Sequence, residues 1–266
     1  MTGTSRLNNS FDRIPSSDAT PVSGGEPQVR HSYESAVFDL FHTIVDPEEF
    51  RPKSYRRVEF VAQALNLDLQ SFTSYWSNTL ALRTTDRSQT IVKLIEAYLA
   101  LHGKTFDEEA VVRVDREMGR YQDMAILNPR PEIISALQTL SQRGLKLGLL
   151  SDCDERDIRR WPESPLAQYF DAACFSCDIG FTKPDPKAFS TVLERLGTSP
   201  QKAAYVGDGG SKELEGARQA GFGLVVFMEG FVANNGLRNP DELETFRRTA
   251  DIVIRRAGEL PKLLDL

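Results

Sequence analysis

The sequence predicts an α/β fold: a parallel sheet whose chain path is interrupted by a long helical insertion. Three observations carry this. Short apolar runs of strand length recur and end in polar residues. From about residue 130 onward they alternate with helical patterns, which implies a parallel sheet covered on both faces. The stretch from about Pro47 to Pro129 shows helical periodicity and no convincing strand.

The first run, AVFDL (36–40), suits a buried parallel strand and ends in the polar group Asp39, His42 and Thr43. Tyr55, Val58, Val61, Ala62 and Leu65 then recur at helical spacing, as do Ile91, Leu94, Ile95, Tyr98 and Leu99. SFTSYWSNTLALR between them reads as helical, and DEEAVVRVDREMGRYQDM, with acids at its start, as a further helix. Pro131 opens a helix that Gly144 closes. Strands follow at LKLGLL (145–150), AACFS (172–176), AAYVGD (203–208), GLVVF (223–227) and DIVI (251–254). Helices are expected over KPDPKAFSTVLERLG, stopped by Gly197, over SKELEGARQAG, ending at Gly221, and at the C-terminus.

Bulk properties exclude several classes. The chain has 266 residues, 40% hydrophobic and 26% charged, as in an ordinary globular protein. A net charge of −6 speaks against nucleic acid or an anionic membrane as the main partner. No apolar run is long enough to span a bilayer. Residues 1–31, rich in Ser, Gly, Pro and Asn, lack the apolar stretch of a secretory signal and read as a disordered leader. Three cysteines, Cys153, Cys174 and Cys177, fit a reducing, cytoplasmic compartment better than a disulfide framework. Cys174 and Cys177 form a lone C-x-x-C, read as small buried residues at a strand end.

In open α/β sheets ligands bind beyond the carboxyl ends of the strands. That rule puts Asp39, Ser151 and Asp208 on one rim, since each ends a predicted strand. Four segments concentrate the chemistry: FDLFHT (38–43), GLLSD (148–152), GFTKPDPKAF (180–189) and YVGDGGSKELEGARQAGF (205–222). In this order they resemble the haloacid dehalogenase-like hydrolase superfamily, from about residue 35 to the end.

The resemblance implies a Rossmann-like parallel sheet core (32–46 and 130–266), an inserted helical cap domain (47–129), and a small phosphorylated substrate handled with Mg2+. Asp39 matches the family nucleophile, whose carboxylate attacks phosphorus to give an aspartyl-phosphate. Asp208 matches the metal ligand. With Asp39, and with the Phe41 carbonyl that the resemblance adds, it makes a hard oxygen site suited to Mg2+. Ser151 and its neighbour Asp152 fall where the substrate phosphate is bound. Lys183 supplies a compact positive charge for phosphate and nucleophile.

The chain also departs from the pattern. The phosphatases carry a second Asp two residues after the nucleophile, as general acid and base; here it is Phe41. His42, titratable near neutrality, is either a substitute or a turn former. Asp152 replaces the usual Asn, and Glu213 falls where a second Asp is common, placed to hold a metal-bound water or Lys183. An aromatic at position 41 is similar to the 2-haloacid dehalogenases, which generally lack the Asp retained here at 208. Three readings stay open: a Mg2+-dependent phosphohydrolase, a 2-haloacid dehalogenase-type hydrolase, and a catalytically weakened protein that binds a phospho-ligand or partner. Arg51, Arg56, Arg57, Arg83 and Arg87 are available to meet a second anionic group, although scattered helix arginines are usually solvated. Oligomeric state is not legible.

Overall fold

In the computed structural model, residues 33–264 are described; the expected leader at 1–31 lies outside them. Six strands run parallel in the order β3-β2-β1-β4-β5-β6. They are β1 (Ser35–Phe38), β2 (Lys146–Ser151), β3 (Ala172–Phe175), β4 (Ala203–Gly207), β5 (Leu224–Met228) and β6 (Ile252–Ile254). Each coincides with a predicted run to within two residues. Alternation sorts their side chains: Ala36, Phe38, Leu147, Leu149, Ala204 and Val206 join one buried cluster, and Val37, Leu150 and Tyr205 the other.

Residues 57–127, between β1 and β2, hold six α-helices and no strand among the described residues. The block comprises α1 (Arg57–Ala64), α2 (Leu69–Asn78), α3 (Leu80–Thr85), α4 (Ile91–Leu101), α5 (Glu108–Met118) and α6 (Arg120–Leu127). A separate apolar cluster, which includes Phe72, Trp76, Ile95, Tyr98, Val111 and Met118, joins α1, α2, α4 and α5, while Ala125 and Ile126 of α6 belong to one of the sheet clusters. Two expected helices are each divided. SFTSYWSNTLALR breaks at Thr79, whose hydroxyl turns back to the Tyr75 and Trp76 carbonyls. The 107–124 segment breaks at Gly119, against which the Arg156 guanidinium packs so closely that a Cβ would collide with it.

The remaining helices are α7 (Pro131–Gln142), α8 (Ser176–Ile179), α9 (Pro186–Leu196), α10 (Glu213–Gln219), α11 (Val232–Asn235), α12 (Pro240–Thr249) and α13 (Leu260–Leu263). Helix α9 behaves as its sequence requires: Asp185 caps the Lys187 amide, Pro186 opens the helix, and Gly197 ends it at φ 62°. Its apolar face, Ala188, Phe189, Val192 and Leu196, covers one side of the sheet, while Ile133, Ala136, Leu137 and Leu140 of α7 cover the other. Helix α12 was not anticipated, although Asn239 and Glu242 form a complete capping box around Pro240. No described helix is long and apolar enough to cross a membrane. The three cysteines are free and buried.

The helical block meets the core at α8, where Arg87 pairs with Asp178, and through ion pairs with one short segment after β2. Arg57 pairs with Asp157, Arg156 with Asp123, and Arg159 with Asp115. Arg83, stacked 4.1 Å over the Trp76 ring, lies 3.6 Å from Asp154.

Candidate active site

Strands β1 and β4 are adjacent and in register, Phe38 beside Val206. The residues just past them, Asp39 and Asp208, therefore emerge side by side at the carboxyl rim, and Ser151 ends β2 on the other flank of β1. Carboxylate oxygens of Asp39, Asp208 and Glu213 lie within 4.8 Å of one another, all three residues buried.

Lys183 enters this cluster from the loop before α9. Its Nζ donates to Asp39 Oδ1 and to Glu213 Oε2, both at 2.5 Å. Asp152 accepts the Lys183 backbone N–H at 3.0 Å, so the carboxylate in place of the usual Asn secures the lysine loop. Thr43, read from sequence only as part of a polar turn, donates to Asp39 Oδ2 at 2.9 Å. Glu213 Oε2 also accepts the Tyr205 hydroxyl, and its Oε1 the Gly209 N–H. Gly207 is required beneath it, because a Cβ there would collide with Glu213 Oε1. Glu213 is thus held by the chain itself, and of its two expected partners, a metal-bound water or Lys183, it bonds Lys183.

Asp208 Oδ1 accepts the Gly210 N–H at 2.8 Å. Its Oδ2 accepts Arg238 Nη2 at 3.1 Å. Arg238 comes from the loop before α12, and nothing local in the sequence marked it. Every oxygen of the three carboxylates therefore has a donor from the chain. The charges still do not balance: three acids face Lys183 and Arg238, which leaves one negative charge in excess when all are ionised. That surplus, with hard oxygen donors, fits a divalent cation.

Electrostatics follow from this crowding. Burial, with the field of Asp208, pushes the Asp39 carboxyl above its usual range, against the pull of Lys183 and Thr43. Burial likewise pushes Glu213 well up, and its acid neighbours add to it. Burial disfavours the Lys183 ammonium, yet Asp39 and Glu213 outweigh it and hold its pKa well above the ordinary lysine value.

Of the remaining sequence-derived residues, Ser151 is fully buried and its hydroxyl has no hydrogen-bond partner. An orphaned buried hydroxyl at the strand end is the donor a bound anion would satisfy. Phe41 forms an isolated bridge with Val45 and packs against the sheet core. His42 is left-handed at φ 64°, and its Nδ1 bonds Asp46 Oδ1 at 2.8 Å. Burial lowers the His42 pKa, but the Asp46 hydrogen bond and the nearby acids prevail and raise it. Arg57 and Arg83 are committed to Asp157 and Asp154; Arg51 pairs with Glu48 and Arg87 with Asp178.

The sequence matches the haloacid dehalogenase-like hydrolases over residues 33–221, and the chain belongs to that family of hydrolytic enzymes. It is 33% identical over 125 residues to the glyceraldehyde 3-phosphate phosphatase of Methanopyrus kandleri; the match takes in 46% of this chain and 53% of that protein, about half its length. Its fold is similar to a HAD phosphatase from Thermococcus onnurineus, with a TM-score of 0.57, 24% identity, and 87% of this chain and 98% of that one covered. It is equally similar to a 2-haloacid dehalogenase from Pseudomonas syringae, with a TM-score of 0.59, 22% identity and the same coverage. At these identities the structural likeness speaks to the fold, which both activities share.

Proposed function

We propose that the chain is a Mg2+-dependent phosphohydrolase acting on a small phosphorylated metabolite. The observation that carries the reading is the cluster of three buried carboxyl groups, Asp39, Asp208 and Glu213, whose oxygens lie within 4.8 Å of one another beside Lys183. A reaction run by Asp39 and Lys183 alone would not need Asp208. Phosphatases among the relatives support the same class.

In this reading Asp39, Asp208 and the Phe41 carbonyl would hold the metal, which would supply positive charge against the phosphate. Asp39 attacks phosphorus, the bond to the leaving oxygen breaks, and water then cleaves the aspartyl-phosphate. Lys183 binds a phosphate oxygen and keeps Asp39 oriented. Ser151 donates its free hydroxyl to another. Thr43 fixes the second Asp39 oxygen, and Asp152 fixes the backbone of Lys183. The helices of residues 47–129 act as a cap that excludes water. The free buried thiols favour a reducing, cytoplasmic setting.

One feature favours a second reading. Phe41 stands where the phosphatases have a carboxylate, and an aromatic there suits dehalogenase-type chemistry, in which Asp39 displaces halide without metal. A panel of phosphate esters and 2-haloacids, assayed for phosphate and halide with Mg2+ and with EDTA, separates the two. Mg2+-dependent phosphate release is expected. Halide release that survives EDTA, with no phosphate release, would replace the first reading by the second.

A further inference from the structure

A cavity of about 690 Å3 lies between the helical block and the sheet rim, walled by α3 on one side and by the loops after β2 and β4 on the other. Lys183 forms part of its wall, so the cavity adjoins the cluster around Asp39. It is the space available for the organic part of a substrate whose phosphate meets Asp39.

Four cations line it: Arg57, Arg83, Lys183 and Lys212. Three are already engaged. Arg57 Nη2 donates to Asp157 at 2.7 Å. Arg83 is folded onto Trp76, donates to the Trp76 carbonyl at 2.6 Å and faces Asp154. Lys183 is shared between Asp39 and Glu213. Lys212 has no hydrogen bond or ion pair with any described residue, and neither has the Ser211 hydroxyl beside it.

The backbone at this point is strained. Ser211 and Lys212 both lie in the left-handed region, at φ 52° and ψ 24° and at φ 52° and ψ 32°. Two consecutive non-glycine residues rarely adopt it, because the Cβ crowds the carbonyl. Strain of this kind persists where the surrounding structure enforces it, and it gathers at ligand sites. Here the turn leads from Asp208 to Glu213 and leaves the exposed side chains of Ser211 and Lys212 at the cavity wall, without a partner among the described residues.

We propose that Lys212, assisted by Ser211, is a specificity-determining residue that selects substrates carrying a carboxylate in addition to the phosphate. The proposal rests on the phosphohydrolase reading. One unpaired ammonium matches one negative charge, and the two carboxylate oxygens match the two free donors. A second phosphate, with up to two charges, would exceed the one unpaired ammonium at this wall.

Two pairs of esters differ by that carboxylate alone: 2-phosphoglycolate against ethyl phosphate, and O-phosphoserine against phosphoethanolamine. Wild type is expected to favour the carboxylate member in kcat/KM by about tenfold to a hundredfold, the value of one hydrogen bond to a charged group. Lys212→Met should bring the ratio close to one, and Lys212→Arg should restore it. The same ratios are read without turnover by calorimetric binding of each ester to Asp39→Asn protein with Mg2+, with and without Lys212→Met. A ratio unchanged by Lys212→Met, or no preference in wild type, overturns the inference. If wild type releases phosphate from none of these esters, the phosphohydrolase reading falls. The calorimetric ratios then still decide the role of Lys212: loss of the carboxylate preference upholds it, and an unchanged ratio refutes it.

Discussion

Replacing Lys183 by Met removes the single ammonium that two buried carboxylates share. Lys183 is 5% exposed, Glu213 is fully buried and Asp39 is 6% exposed, so water does not take the place of the lost charge. Asp39 would keep the Thr43 hydroxyl, and Glu213 the Tyr205 hydroxyl and the Gly209 N–H, none of which carries charge. Removing one partner of a buried ion pair costs about 3–5 kcal/mol. At about 2–4 °C per kcal/mol for a chain of this size, Tm should fall by roughly 6–20 °C. The loss should depend on pH. Without the lysine, the folded-state pKa of each carboxyl rises further above its unfolded value near 4. The folded state then binds more protons than the unfolded chain, and stability drops as pH rises through that window. Calorimetric melting in EDTA at pH 5 and pH 8 should therefore show the larger deficit at pH 8, with Lys183→Met/Glu213→Gln recovering part of it. A variant with wild-type Tm, or with an equal deficit at both pH values, would refute this account of the cluster.

Other consequences are open to direct measurement. Phe41→Asp should raise phosphate release from alkyl esters by up to about 10²-fold if the missing proton donor limits turnover; a folded variant with lower activity on every ester would make Phe41 a feature of different chemistry. Arg238→Ala should bind Mg2+ more tightly by calorimetry, since its guanidinium competes for Asp208 Oδ2; equal or weaker affinity would show that the two cations do not compete. Asp154 is pushed up to about 7 by burial and by Asp157. The stability it contributes is full below the unfolded carboxylate pKa near 4 and lost as pH rises through about 7. Asp154→Asn should flatten the fall of Tm across that interval, and an unchanged slope would assign the titration elsewhere.

The rim was legible in the sequence because polar residues end its strands, while the roles of Asp39, Asp208 and Lys183 were read only through the resemblance to the family. A buried parallel strand must be apolar, so the first polar residue past it, Asp39 or Asp208, marks the rim. The insertion was legible because its helices carry an apolar stripe of their own. Helix α9 was bounded by local chemistry alone, Pro186 at one end and Gly197 at the other. Helix α12 had an equally local signature at Asn239 and Glu242 that was passed over, its helix having no residue in the buried class to give a strong apolar period. The breaks at Thr79 and Gly119 are different: at the second, the guanidinium of Arg156, distant in the chain, packs where a Cβ would sit.

The sequence by itself determined the α/β class, the six strands, the strandless block and the residue types at the rim, since these depend on local periodicity and on what can be buried. Tertiary structure alone decided which charges meet. Lys183 reaches Asp39 across 144 positions, and Arg238 reaches Asp208 across 30. Arg57 and Arg83, candidates for an anionic ligand while only their helical positions were known, are held by Asp157 and Asp154. Lys212, unremarkable in sequence, is left facing the cavity by two left-handed residues. Coulomb energy depends on separation and on burial, and a linear sequence contains neither.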